Sequence, residues 1–558
     1  VGKVNIEDQH LKIEYSMPFP GIDTTALAPY IQGLFDAENF LIRNNSYVVA
    51  SWKLLTFGDQ STFDTNSFLI GFGELAFPVA GPMPANLNDK FFYLTINTAA
   101  NAIGFASDTI DAPSTNIGSV ALSGIPTPGT LTWKTINQTT YLSADGMSQI
   151  LQIAIDPTTS IPALTLLTSY LGCKFLGEFN GRLIAMYVNQ LQIGPPPFVQ
   201  SFPYQIAWSA GGEQYGIWNP LDLSGNATGA GFNNLPDVED EITGALFIGP
   251  TVYIIRRAGI SEMTPLNSGI QPFNFDHMWA SHKGVGTVFP YTIAQYGPKG
   301  CFVANDDIYS IGLDGIAQIG GSAKRAIYTD LMASNFNIQA GMAALIINGT
   351  PELCYFLGMQ LDSNISTNNF IRVYIYGFET KQWMRLTITN GTTFPAVPTQ
   401  TLIGIISLLL SNISSTFVPD NVSFDGIVMA AQAANEVPTF WTIPILPSNP
   451  VTIGSTTESK LVFPQERIQT LKDVTIDAVL FYAEGMAGSK IQATVDGVPF
   501  TLQTLGTGPD SAKNIYTAYP DQQASLTTLQ PQLTVECQGT IALGEISMYG
   551  TVGQGRRP

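Results

Sequence analysis

The stretch FLGEFNGRLIAMYV, 175–188, is two apolar runs broken by Asn180 and Gly181. Asn-Gly accepts the positive φ of a tight hairpin turn, so the stretch predicts two antiparallel strands. The same plan returns at 203–220 around Gly211-Gly212, at 244–263 around Gly-Pro, at 301–320 around Asn-Asp-Asp, and at 372–386 around Phe-Glu-Thr-Lys. A chain of such units is all-β. Helical periodicity is scarce, and its best candidates are short, 24–35 and 322–333. Units that recur about every 45 residues predict a degenerate β-propeller, because each small sheet buries its faces only against its neighbours.

The expected layout has three parts. Residues 1–170 form an N-terminal β-rich platform region, with hairpins at 91–107 and 129–145. Residues 171–445 form the propeller, with room for about six blades. After a Pro, Ser and Thr-rich linker at 445–459, residues 446–558 hold three blocks of period-two alternation and predict a C-terminal β-sandwich. The tail GQGRRP reads as mobile.

Only 12% of the 558 residues are charged, about half the roughly 25% usual in soluble domains. So weakly charged a chain predicts burial in an oligomer. The 43 acidic residues exceed the 24 basic ones, giving a net charge of −19. No lysine or arginine block grips phosphate, which argues against tight nucleic-acid binding. The longest apolar run, near 402–410, is far short of the ~20 residues that span a bilayer, and no membrane segment is expected. The first residues lack the apolar stretch of a signal peptide. Cys173, Cys301, Cys354 and Cys537 are scattered without a close pair and read as buried thiols. Asn-x-Ser/Thr triplets begin at Asn44, Asn137, Asn226, Asn348, Asn364, Asn390, Asn412 and Asn421, and in a chain this rich in these residues they read as chance.

The search for chemistry yields little. The histidines are His10, His277 and His282; the last two are five apart beside Asp276, which is not a helical zinc spacing. Ser209 lies in AWSAGGE next to Glu213, but no helix follows it as a nucleophile elbow requires. It reads as a turn serine, and Glu213 as a solvated carboxylate. The acidic loops 237–241 and 305–307 are the densest carboxylate sites and offer oxygen ligands for Ca²⁺, without the EF-hand pattern. No phosphate loop appears. The sequence therefore predicts no enzyme, and nominates no catalytic, cofactor-binding or metal residue.

Four segments in order are similar to the tail nozzle or tail hub proteins of short-tailed bacteriophages. The first is 19–59, where Glu38, Asn39, Phe40, Leu41, Ile42 and Arg43 stand in place of that family's early motif, followed by Ala50, Ser51 and Trp52 where the family often has an Arg-x-Gly turn. The others are FNGRLIA at 179–185, IAWSAGGEQYGIWNP at 206–220 and VYIYGFETKQW at 373–383. The resemblance implies a structural virion protein of the tail, in a homo-oligomeric ring of about six copies. It would sit below the portal and head-to-tail adaptor, hold fibres or spikes outside, and pass DNA through an acidic lumen without sequence-specific binding. The main alternative is an extracellular propeller that binds glycans as a lectin or adhesin, with Trp208, Trp218 and Trp383 as stacking platforms. A third reading is a propeller glycosidase or lyase that uses two carboxylates.

Overall fold

The computed structural model describes residues 2–7, 10–15, 36–38, 40–43, 46–49, 53–55, 67–75, 91–97, 99–107, 115–156, 162–168, 170–192, 198–235, 240–266, 271–277, 284–334, 337–347, 350–361, 370–388, 400–409, 425–433, 438–442, 459–462, 474–485, 488–505, 514–520, 526–527, 531–538 and 541–552. Within them the chain is all-β. Seven four-stranded antiparallel sheets follow one another: sheet 1 spans 68–121, sheet 2 132–168, sheet 3 171–234, sheet 4 242–277, sheet 5 294–318 and sheet 6 338–388. Sheet 7 takes three strands from 400–442 and its fourth, Lys53–Leu55, from near the other end of the chain. There Leu55 pairs with Phe440 and Lys53 with Thr442.

Seven apolar clusters join these sheets pairwise into a closed β-propeller. Phe92 and Leu94 of sheet 1 pack with Leu142 and Leu151 of sheet 2. Tyr141 and Ile150 then meet Cys173 and Leu183 of sheet 3, and Ile184 and Trp208 meet Ile254 and Phe273 of sheet 4. Leu246 and Ile255 meet Phe302 and Ile311 of sheet 5. Cys301 and Val303 pack with Tyr355, Leu357 and Trp383 of sheet 6, and Phe356 and Val373 with Ile405 and Met429 of sheet 7. The ring closes where Ile403, Val428 and Phe440 of sheet 7 pack on Leu69, Phe72 and Phe91 of sheet 1.

Such sheets are buried on both faces, so their strands read as near-continuous apolar runs. Phe91–Ile96, buried along its whole length, is one. The low charge content therefore has a cause inside a single chain, and does not by itself require subunit interfaces.

The expected borders move. The line drawn at residue 170 falls between two sheets of the same ring, and 171–445 carries five of the seven. The N-terminal part is no separate platform: it supplies sheets 1 and 2 and the closing strand. The C-terminal part is likewise shared, because the two chain ends zip together. Gly2–Glu7 and His10–Tyr15 add to Ile541–Val552, and Asp36–Glu38 pairs with Ser459–Val462. These strands belong to an eight-stranded and a six-stranded sheet. The two sheets share a core that includes Val479, Phe481, Ile491, Val535 and Ile546. Pairings between residues hundreds of positions apart leave no local signature.

Several local readings hold. Asn180 (φ 52°) and Gly181 (φ 70°) form the turn between Leu171–Phe179 and Arg182–Gln192. The helix expected at 322–333 is present as Lys324–Ala333 after a short 3-10 turn, whereas the one expected at 24–35 lies outside the described residues, as does the linker at 445–458. The hairpin expected at 203–220 is different. Its first strand ends at Trp208, and a long loop leads to the fourth strand of the sheet, Gly231–Asn234.

Candidate axial site

The first strands of successive sheets meet around the propeller axis. Glycines allow that approach: a Cβ on Gly71 would lie 2.4 Å from Leu131 Cβ, and one on Gly341 would lie 2.3 Å from the Ile405 carbonyl oxygen. The strands enclose a cavity of about 220 Å³ whose wall includes Gly71, Trp133, Phe175, Phe247, Gln339 and Ile405, from sheets 1, 2, 3, 4, 6 and 7, together with Tyr291 from the turn before sheet 5. Gln339 Nε2 of sheet 6 donates to the Gly129 carbonyl at the entry to sheet 2, 2.9 Å away, across the axis.

A lysine cage stands at one end of this cavity. Lys174 Nζ lies 3.2 Å from Asp145 Oδ2. It also sits 5.1 Å from the Tyr187 ring centre, 5.6 Å from that of Tyr291 and 5.8 Å from that of Phe175, all within cation–π range. Burial, then the nearby carboxylates of Asp145 and Glu241, push the Tyr187 hydroxyl's pKa up. Burial, then Asp145 and Tyr187, do the same for Tyr291. Both phenols therefore stay neutral donors through the physiological range. Tyr187 has φ of 55° at a bulge between Met186 and Val188, a conformation that costs an L-residue roughly 1–2 kcal/mol.

The other end is a wider mouth of about 840 Å³, lined by Trp133, Lys134, Glu178, Asn180, Phe247 and Gln295 among others. Glu178 stands four residues beyond Lys174 on the same strand, about 13 Å away. Trp133 and Phe247 are half-buried and Lys134 is exposed. Trp133 rests edge-on against Phe92 at 5.9 Å. Gln295 clamps the strand that carries Phe247: Phe247 N donates to Gln295 Oε1 (2.8 Å), and Gln295 Nε2 donates to the carbonyls of Phe247 and Gly297.

The residues singled out from sequence fall elsewhere. Ser209 is fully buried; its Oγ accepts from Leu183 N (3.0 Å) and donates to the Ala210 carbonyl (3.1 Å). Ser209→Ala would strand a buried amide, so a loss of about 1–3 kcal/mol is expected in denaturant unfolding. Glu213 is exposed and accepts from Asn137 Nδ2 of sheet 2 at 2.9 Å.

Trp208, Trp218 and Trp383 are 4%, 5% and 4% exposed, so none is a stacking platform. Trp208 packs edge-on against Phe273, and Trp383 Nε1 donates to the Ile319 carbonyl of the neighbouring sheet at 2.7 Å. Trp218 lies in the loop rather than on a second strand.

In the acidic loops, Asp240 pairs with Arg256 at 3.3 Å and Asp307 with Lys324 at 3.2 Å, while Asp306 accepts from the Tyr309 hydroxyl. Residues 237–239 lie outside the described residues, as does His282; His277 ends the strand Phe273–His277. All four cysteines are buried thiols, and burial pushes Cys173 up to about 12. Asn226 Nδ2 is held by Asp222.

Sequence reasoning missed Lys174, Trp133 and Gln295. A signal for the first existed: a lone lysine within the apolar strand LGCKFLGEF needs a buried counter-charge.

No family model matches the chain, and no curated protein matches it. Solved structures match at low similarity. The core factor of S. cerevisiae shows 8% identity over 72% of this chain and 61% of that one, with a TM-score of 0.29; this chain thus spans less than two thirds of its length. An exo-β-1,3-galactanase from Phanerochaete chrysosporium shows 10% identity over 98% and 95%, with a TM-score of 0.20. The WD40 domain of SCAP from fission yeast shows 6% identity over 74% and 96%, with a TM-score of 0.27. No residue role or activity carries over at these scores. The expectation that the chain is no enzyme is withdrawn, because an exo-β-1,3-galactanase stands among the matched structures and at these scores neither an activity nor its absence carries over to this chain.

Proposed function

We propose that this chain is a structural subunit of a bacteriophage tail, one of about six copies in a nozzle or hub ring below the portal and adaptor, with fibres or spikes on its outer face. Beneath that role lies a seven-bladed propeller, closed by an N-terminal strand and joined to a β-sandwich built from both chain ends. The order of the four tail-like segments supports the reading.

One observation carries it beyond resemblance. Large apolar side chains stand in solvent on a surface with few charges: Ile125 is 76% exposed, Leu313 72%, Met332 65% and Phe232 59%. Leu221 and Leu223, at 59% and 110%, sit on a turn ordered in advance. Ser224 N and Asn226 N both donate to Asp222 Oδ1 at 2.8 Å, and Leu221 bridges to Ala227. An apolar knob on an ordered turn has already lost the entropy that docking would otherwise cost, and suits a head-to-tail ring contact.

DNA would pass between subunits, not through a propeller. The axis is crossed by Gln339, and its cavity of about 220 Å³ is far too small for a duplex whose major groove alone is about 12 Å wide. Replacing Leu221 and Leu223 together by serine is expected to shift the particle from ring to monomer in light scattering, with thermal unfolding unchanged. Rings that persist undiminished would remove this knob from the contact and the main structural support for the reading.

A further inference from the structure

We propose that the axial mouth between sheets 2 and 5 is a binding site for a neutral saccharide. At about 840 Å³ it lies within the roughly 300–1,000 Å³ of small-molecule sites. Two half-buried rings line it from different sheets, Trp133 of sheet 2, which lies over Gly73 of sheet 1, and Phe247 of sheet 4. Room for the Phe247 ring comes from Gly177, where a Cβ would lie 2.0 Å from the ring. Sugars present apolar C–H faces and hydroxyl edges, and aromatic faces in a polar rim match that pattern.

The polar groups decide the charge class. Lys134 and Glu178 supply one charge of each sign, and Asn180 adds a neutral amide. Neither an anion nor a cation is favoured at a mouth so balanced, and the chain's net charge of −19 disfavours phosphorylated ligands further. Gln295 is a positioning residue: its three hydrogen bonds fix the strand that carries Phe247. The site does not depend on the ring reading.

The test is titration of the full chain with galactose, glucose and N-acetylglucosamine, read by saturation-transfer NMR and tryptophan fluorescence. At least one sugar is expected to bind with Kd on the order of 1 mM. Trp133→Ala should weaken it tenfold or more. Trp133→Phe, which keeps a ring against Phe92, should fold normally and weaken binding less. Gln295→Ala should also weaken binding, whereas Phe232→Ser on the outer strand of sheet 3 should leave it unchanged. The proposal is overturned if none of the three sugars binds, if binding is indifferent to the Trp133 variants, or if inorganic phosphate binds the mouth instead.

Discussion

Asp240→Ala is expected to cost about 3–5 kcal/mol of stability, because it leaves a buried guanidinium without its counter-charge. Arg256 is 1% exposed and Asp240 4%. The carboxylate pairs with Arg256 Nε and accepts from Ala258 N at 2.7 Å, while Arg256 Nε also donates to the Asp240 carbonyl at 3.0 Å. The pair thus ties the entry to sheet 4 to the turn after its second strand. Urea unfolding should show the midpoint falling without a change of slope. Replacing both partners by leucine should recover much of the loss, since a buried ion pair and an apolar pair of similar volume are often close in stability. A single variant within about 0.5 kcal/mol of wild type would mean that this loop is solvated, as a surface site would be.

Phe440→Ala is the second large effect, at about 3–5 kcal/mol. Its ring is fully buried and meets Phe72 edge-on at 5.4 Å and Phe91 at 5.9 Å. It stands at the seam where the last sheet meets the first, on the strand that pairs with Lys53–Leu55. Phe302→Ala, in the cluster between sheets 4 and 5, should cost a similar amount but without the same geography. In hydrogen exchange, Phe440→Ala should expose the amides of sheets 1 and 7 before those of sheets 3 to 5. Uniform loss of protection in both variants would show that the ring has no weakest joint.

What the sequence revealed followed from how local each feature is. The turn at Asn180-Gly181 and the helix Lys324–Ala333 are written in adjacent residues and were legible. The strand, polar turn and strand around 373–386 are just as local, and there Trp383 donates to the Ile319 carbonyl just past sheet 5. Sheets 1 and 2 read as hairpins but were left outside the ring, because membership depends on which faces meet: Phe92 on Leu142, Phe440 on Phe72. The closing strand Lys53–Leu55 lies nearly four hundred residues from its partner, and no pattern in either stretch declares the pairing.

The candidate site was harder still. Trp208, Trp218 and Trp383 are the stacking platforms of the glycan-binding alternative only, and all three are core. Trp133 reaches the mouth only because its strand is the innermost of its sheet, which is a property of the assembled ring. Low charge content pointed to oligomers, yet sheets buried on both faces account for it within one chain. The case for assembly now rests on Leu221, Leu223 and the other exposed apolar side chains.

The most direct test of the tail-ring reading is native mass spectrometry of the purified full chain, with electron images of the same sample. The expected result is a closed ring of several identical copies around an open lumen. A single copy at every concentration tested would contradict it.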